Sequence, residues 1–264
     1  MGGRAVRVIL HAGFHKTGTT TLQRALHHNR RALAAHLRLV PRDRMMPAGR
    51  SARAWSASRD PLDMALFHYE LAEVMAGWDS TDPRPLVTSA EDLCGNMPGR
   101  HGVETYAAAA PLMAAIVETL AELHPKAQPE FFFSTRAPQA WLASVHAQHL
   151  RAMRMTLSAE DFAQKFRSAA DLDAVVDEIA RSVAPCPVHR AALEQSAARP
   201  LGPLAPLLDL LELPENLRAT LEPQPPANTA PPPDCTAELL RLNRSNMDAE
   251  ALAAAKRALL AGAG

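Results

Sequence analysis

Aromatic residues are scarce. Three tryptophans, two tyrosines and seven phenylalanines make up 5% of 264 residues. Ala, Leu, Val and Met must therefore fill the interior, and no obvious platform for stacking sugars is present. Cysteine is scarcer still. Cys94, Cys186 and Cys235 lie far apart and share no metal-ligand spacing, which argues against a disulfide framework and for a reducing compartment. No apolar run approaches the roughly 20 residues of a transmembrane helix. The apolar stretch in MGGRAVRVIL is too short for a secretory signal, and Val6 stands where a myristoylation motif wants Ser or Thr. These absences predict a soluble, cytoplasmic protein with no stable membrane insertion.

Net charge is also absent, with 28 basic and 28 acidic residues, but the balance is uneven. Residues 1–60 carry twelve Lys or Arg against Asp43 and Asp60, a net charge of +10. Such a segment suggests an anionic ligand near that end, or more plainly a solvated basic surface. At 47% hydrophobic, the chain is long enough to bury the core of one α/β domain. A single domain over 1–264 is expected, with its core at about 5–200. A Pro-rich linker at 222–234 and C-terminal helices at 236–262 would follow.

Val6 to His11 reads as a short buried strand stopped by Gly13, followed by a helix from Thr19 or Thr20 to about Leu37. Residues 40–60, with prolines at 41 and 47, read as a mobile basic loop. Pro61–Trp78 reads as a helix and Pro85–Ser89 as a strand. A helix over Glu104–Leu123 is interrupted or restarted at Pro111. Glu130–Thr135 (EFFFST) is a continuous apolar strand of the kind buried in a parallel sheet. Helices fit Pro138–Met153, Ser158–Ser168 and Leu172–Val183, and Pro187–Arg190 is a last short strand. Alternating strands and helices predict a central parallel sheet flanked by helices, with ligands at the carboxyl ends of the strands. That rule gathers the loop at 11–21, the acids after Ser89 and the residues after Thr135 onto one rim.

The sequence RVILHAGFHKTGTTTLQRAL has the layout strand, glycine-containing loop, helix start. It is a poor Walker A loop. Gly13 and Gly18 have the right separation, but Thr19 follows the second glycine and Lys16 precedes it. The physics of anion binding still applies. Gly18 permits close backbone approach, and the N–H groups of Thr17 to Thr20 converge at a helix N-terminus where the dipole favours negative charge. Lys16 reaches the anion from upstream, and Thr19, Thr20 and Thr21 add hydroxyls. A Thr-capped turn without a ligand accounts for one threonine, but not for Lys16 with three in a row.

His15-Lys16-Thr17-Gly18-Thr19-Thr20 resembles the 5′-phosphosulfate loop, K-[ST]-G-[TS]-[TS], of sulfotransferases that use 3′-phosphoadenosine 5′-phosphosulfate (PAPS). A second stretch agrees. In Ser134-Thr135-Arg136-Ala137-Pro138 through Ser144, the residues Arg136, Pro138 and Ser144 match the family's later strand-end motif. A guanidinium with a hydroxyl two helical turns on suits a phosphate dianion. The two motifs span residues 7–150. Leu240–Ser245 before a final helix resembles the C-terminal region of bacterial members, and the glycine-flanked Arg-Lys loop of cytosolic animal members is absent.

The resemblance implies a P-loop NTPase-like three-layer fold and sulfonate transfer from PAPS, leaving 3′-phosphoadenosine 5′-phosphate (PAP). His15, Lys16, Thr17, Gly18, Thr19, Thr20 and Thr21 would hold the 5′ end, and Arg136 and Ser144 the 3′-phosphate. Arg244 would stand in for the missing loop. The acceptor is a small molecule, lipid or glycan, with no nucleic acid. Its hydroxyl or amine needs a base. Glu91, in SAEDL, resembles the segment that supplies the base in glycan-type members, while Asp92 beside it would point elsewhere. The plainer reading makes both acids dipole partners of a short helix. His146 is the alternative base, because animal cytosolic members use a histidine. The pairs His11/His15 and His146/His149 lack the companions of a zinc site, so no metal is expected. Trp141 reads as core, and Trp55 and Trp78 as packing or an acceptor wall. The rival readings are a small-molecule P-loop kinase, which the position of Lys16 disfavours, and a PAP- or nucleotide-binding module without turnover.

Overall fold

The computed structural model describes residues 6–227 and 232–262. Five parallel strands form one sheet in the order β2-β3-β1-β4-β5. They are β1 Val6–His11, β2 Arg38–Leu39, β3 Leu86–Ser89, β4 Ala127–Thr135 and β5 Val188–Ala192. Each central strand is buried on both faces, and side-chain alternation divides the core in two. Val8 and Leu10 of β1, with Phe131 and Phe133 of β4, face the larger hydrophobic cluster. Ile9, Val87 and Phe132 face the smaller one, with Leu22 and Leu26 of the helix Thr19–His28. This is the expected three-layer α/β architecture, a central parallel sheet flanked by helices. From β1 the chain crosses to one edge of the sheet, and from β3 it crosses back past β1. The crevice at the carboxyl end of β1 is therefore where a ligand of such a sheet sits.

Three local expectations change. The helix after the loop ends at His28, because the Asn29 side chain turns aside to bond Ala25 O and Glu222 O, each at 2.9 Å. One further turn, Arg30–Leu33, leads to β2. The helix predicted from Glu104 starts at Ala109, which puts Pro111 in the first turn, where no intrahelical N–H bond is lost.

The third change bears on the site. Residues 40–60 are not a loop. Arg42–Ser58 is a helix of 17 residues with Pro47 inside it. A proline there costs one backbone bond, which burial of Met45, Ala48 and Ala52 in the larger cluster offsets. Gly49 is required by contact, since a Cβ there would lie 2.9 Å from Cβ of Asp92. The close approach seats this helix on the 3-10 turn Glu91–Cys94 that follows β3.

The 222–234 segment is non-helical through residue 227, and residues 228–231 lie outside the described residues. The C-terminal helices are Pro233–Asn243 and Ala249–Gly262. Among the described residues no helix is long and apolar enough to cross a membrane.

Candidate functional site

A cavity of about 570 Å³ opens at the carboxyl end of β1. Its floor is the loop after β1. Lys16 has φ 69° and Gly18 φ 92°, so two left-handed residues bend the chain around a concave run of amides. A Cβ at Gly18 would meet Leu193 Cδ1 at 2.7 Å. The Thr19–His28 helix begins at once, with Leu22 N bonded to Gly18 O at 3.1 Å. The N–H groups of its first turn have no intrahelical acceptor, and they carry the positive end of the dipole.

The loop's side chains divide by role. The hydroxyls of Thr17 and Thr19 turn inward to Phe14 O, at 2.6 and 3.2 Å, and build the loop. Thr20 lines the cavity. Thr21 also lines it, and its Oγ1 accepts from Ala227 N at 3.0 Å. His15 fastens the loop from the other side. Its Nε2 donates to Asp92 Oδ1 at 3.2 Å, while Nδ1 accepts from the Tyr106 hydroxyl at 3.1 Å. That hydroxyl in turn accepts from His15 N at 3.2 Å, and Trp141 Nε1 donates to His15 O at 3.0 Å.

Residues far apart in sequence complete the cavity. Arg136, at the end of β4, donates to Lys16 O at 3.0 Å. Ser144 and Gln148 lie four residues apart on the helix Pro138–Ala152 and share its inward face. Lys16 Nζ reaches Gln148 Oε1 at 3.4 Å. Burial, with the nearby charges of Arg151, Arg136 and Arg100, lowers the Lys16 pKa to about 8. Negative charge placed beside these guanidinium groups would raise it again. Among the described residues, neither Arg100 nor Arg136 has a carboxylate partner.

On the other rim, Glu91 accepts from Gln23 Nε2 at 2.7 Å and lies 3.9 Å from Arg42. Asp92 does not point elsewhere. It lines the same cavity, bonded to His15 and to Arg53 Nη1 at 2.5 Å. Burial raises its pKa, but His15 and Arg53 outweigh burial and hold it below the usual carboxylate range.

The candidates outside the cavity have structural work. His146 is buried against Phe162 with Nε2 at 2.9 Å from Leu157 O, so it does not line the cavity. His149 Nε2 bonds Pro98 O at 2.7 Å. His11 sits inside the sheet, bridging Ser89 Oγ at 2.7 Å and Ser134 Oγ at 3.0 Å. Arg244 bonds Thr156 O at 2.9 Å and does not line the cavity. Trp141 is core, as expected. Trp55 carries Arg59 over its ring, Trp78 stacks on His124, and neither reaches the cavity. Among the described residues no group of three or more His, Cys, Asp or Glu is placed to hold a metal.

Arg42, Arg53, Arg100 and Gln148 line the cavity without having been singled out in the sequence. The i, i+4 relation of Gln148 to Ser144 was the available signal for one of them.

No protein-family model matches the chain, and neither does any curated protein. Among solved structures, it is similar to a sulfotransferase from Alicyclobacillus acidocaldarius, with 15% identity and a TM-score of 0.48 over 99% of this chain and 96% of that one.

Proposed function

We propose that the protein is a sulfotransferase that moves a sulfonate group from PAPS to an acceptor hydroxyl or amine. One observation carries this reading. Two stretches that resemble the family's donor motifs, 15–20 and 136–144, share one cationic cavity and are joined by the bond from Arg136 to Lys16 O. The cavity suits a nucleotide with two separate anionic ends. First-turn amides and Lys16 would take the 5′ end, and Arg136 with Ser144 the 3′-phosphate.

The donor, when bound, supplies an activated sulfonate. The acceptor oxygen forms a new S–O bond while the S–O bond to the 5′-phosphate breaks, and the phosphate keeps the electron pair. With the 5′ end held by the loop, Lys16 and the loop amides would lie beside that developing negative charge and favour departure. Glu91 receives the acceptor's proton, and Gln23 orients its carboxylate. His15 and Asp92 act as positioning residues that fix the loop against the acid rim. These residues provide electrostatic stabilisation and a base without requiring a metal.

The test is calorimetric titration with PAP, alongside ATP with Mg²⁺. Micromolar PAP affinity that falls in Lys16→Ala and Arg136→Ala, with ATP much weaker, supports the reading. Absence of PAP binding withdraws it.

A further inference from the structure

A larger groove, of about 1440 Å³, opens off the cavity and shares Thr20, Arg42 and Gln224 with it. One wall is the Thr19–His28 helix with the turn after it. The other is β2 and the start of the Arg42–Ser58 helix. Six arginines line it, Arg24, Arg30, Arg31, Arg38, Arg42 and Arg84, against one carboxylate, Asp43. Arg38 and Arg84 are already paired with Asp82. The nearest carboxylate to Arg42 is Glu91, at 3.9 Å. Among the described residues Arg24, Arg30 and Arg31 form no ion pair. Thr20, Arg24 and His27 fall at helical spacing on the Thr19–His28 helix and mark one side of the groove over roughly 10 Å, and Arg31 follows on the next short turn. At its inner end Gln23, a lining residue, donates to Glu91.

We infer that this groove holds the acceptor, and that the acceptor is an acidic oligosaccharide: an extended, hydroxyl-bearing chain with carboxylate or sulfate on at least two units. The inference rests on the reading of the adjoining cavity as a sulfonate-donor site. Size is the first argument. Pockets for small ligands run to about 300–1,000 Å³, so a lone phenol or amine would leave this groove mostly empty. Charge is the second. Unpaired guanidiniums along the wall match anions repeated along a chain, and Arg takes carboxylate or sulfate through two parallel bonds. Lining chemistry is the third. No Phe, Tyr or Trp ring lines the groove, which leaves only the imidazoles of His27 and His28 for a nucleobase to stack on. The floor residues Leu26, Leu37 and Val87 are 5%, 2% and 0% exposed, so apolar contact in the groove comes from Ala34, Leu39, Val40 and Pro41 beside the arginines, and the comparison with vesicles separates a lipid from a saccharide. A chain bound here would bring a hydroxyl to Glu91 while its neighbouring units lie against Arg24 and Arg31.

The experiment is calorimetry on the full chain saturated with PAP. It uses tetragalacturonate and a sulfated heparin tetrasaccharide, with neutral maltotetraose, a single-stranded tetranucleotide and phosphatidylglycerol vesicles for comparison. At least one acidic tetrasaccharide should bind, and maltotetraose should not. The double variant Arg24→Glu, Arg31→Glu should weaken that binding tenfold or more while its PAP affinity stays at the wild-type value, which also shows that it is folded. The inference is overturned if PAP binds but neither acidic saccharide does, or if their binding ignores the two charge reversals. It is equally overturned if the tetranucleotide or the vesicles bind as tightly through the same arginines. Failure of PAP itself to bind removes the donor reading first, and this one with it.

Discussion

Arg136 and Lys16 are 120 residues apart in sequence, and Nη1 of the arginine donates to the backbone oxygen of the lysine at 3.0 Å. The bond holds the loop's left-handed residue in place and presents the rest of the guanidinium to the cavity. Arg136→Ala should therefore weaken PAP binding by roughly 10- to 150-fold, the equivalent of about 1.5–3 kcal/mol for hydrogen bonds to a charged group. Arg136→Lys should recover only part, because an ammonium restores charge without the planar fork. Calorimetry reads both. Unchanged affinity in the alanine variant would sink the assignment.

If Lys16 faces the donor as proposed, donor binding depends on pH. With a pKa lowered to about 8 by burial and neighbouring arginines, the free site loses this positive charge as pH rises through 8. PAP affinity should therefore fall between pH 7 and pH 9. In Lys16→Met the affinity should be lower throughout and flat over that window. A wild-type profile as flat as the variant's would show that Lys16 does not face the anion.

Glu91→Gln keeps the shape and the contact with Gln23 but removes the proton acceptor. Turnover with a competent acceptor should drop by about 10²- to 10⁴-fold, the usual worth of a positioned base, while PAP affinity stays within about threefold. Asp92→Asn removes the negative charge to which His15 and Arg53 both donate, so it should weaken PAP binding as well as slow turnover. If Glu91→Gln turns over at the wild-type rate, the base lies elsewhere.

His11 ties stability to acid. It is fully buried, and burial lowers its pKa from 6.5 to about 3. Between those values the unfolded chain binds a proton that the native one refuses, so stability falls as pH drops below 6.5. At pH 4 the loss attributable to this group is on the order of 3 kcal/mol. In His11→Gln the melting temperature should fall less steeply between pH 7 and pH 4 than in wild type. Parallel slopes would refute this account.

Much of the fold was legible because its signals are local. The runs VRVILH and EFFFST are apolar on both faces and short, which is what a central parallel strand needs. The turn from β1 into the Thr19–His28 helix was legible for the same reason, since a strand, a permissive glycine and a helix start lie within 20 residues. The Arg42–Ser58 helix was not legible. Its proline and glycine are local breakers, overruled by contacts with Asp92 and the larger cluster that no short window contains.

Asp92 shows the same division. Neighbouring residues on an extended chain point to opposite sides, but Glu91 and Asp92 sit on a 3-10 turn, and both reach the cavity rim. By itself the sequence determined the central strands, most of the helices and a glycine-containing turn from β1 into a helix. The tertiary structure alone decided which distant charges share that loop's cavity, that His146 and Arg244 lie outside it, and that a groove lined by six arginines adjoins it. Strand periodicity and loop chemistry are written in consecutive residues. The positions of Arg136 and Asp92 around one cavity, and of Arg24 in the groove beside it, depend on how the helices pack on the sheet, and that is a property of the whole chain.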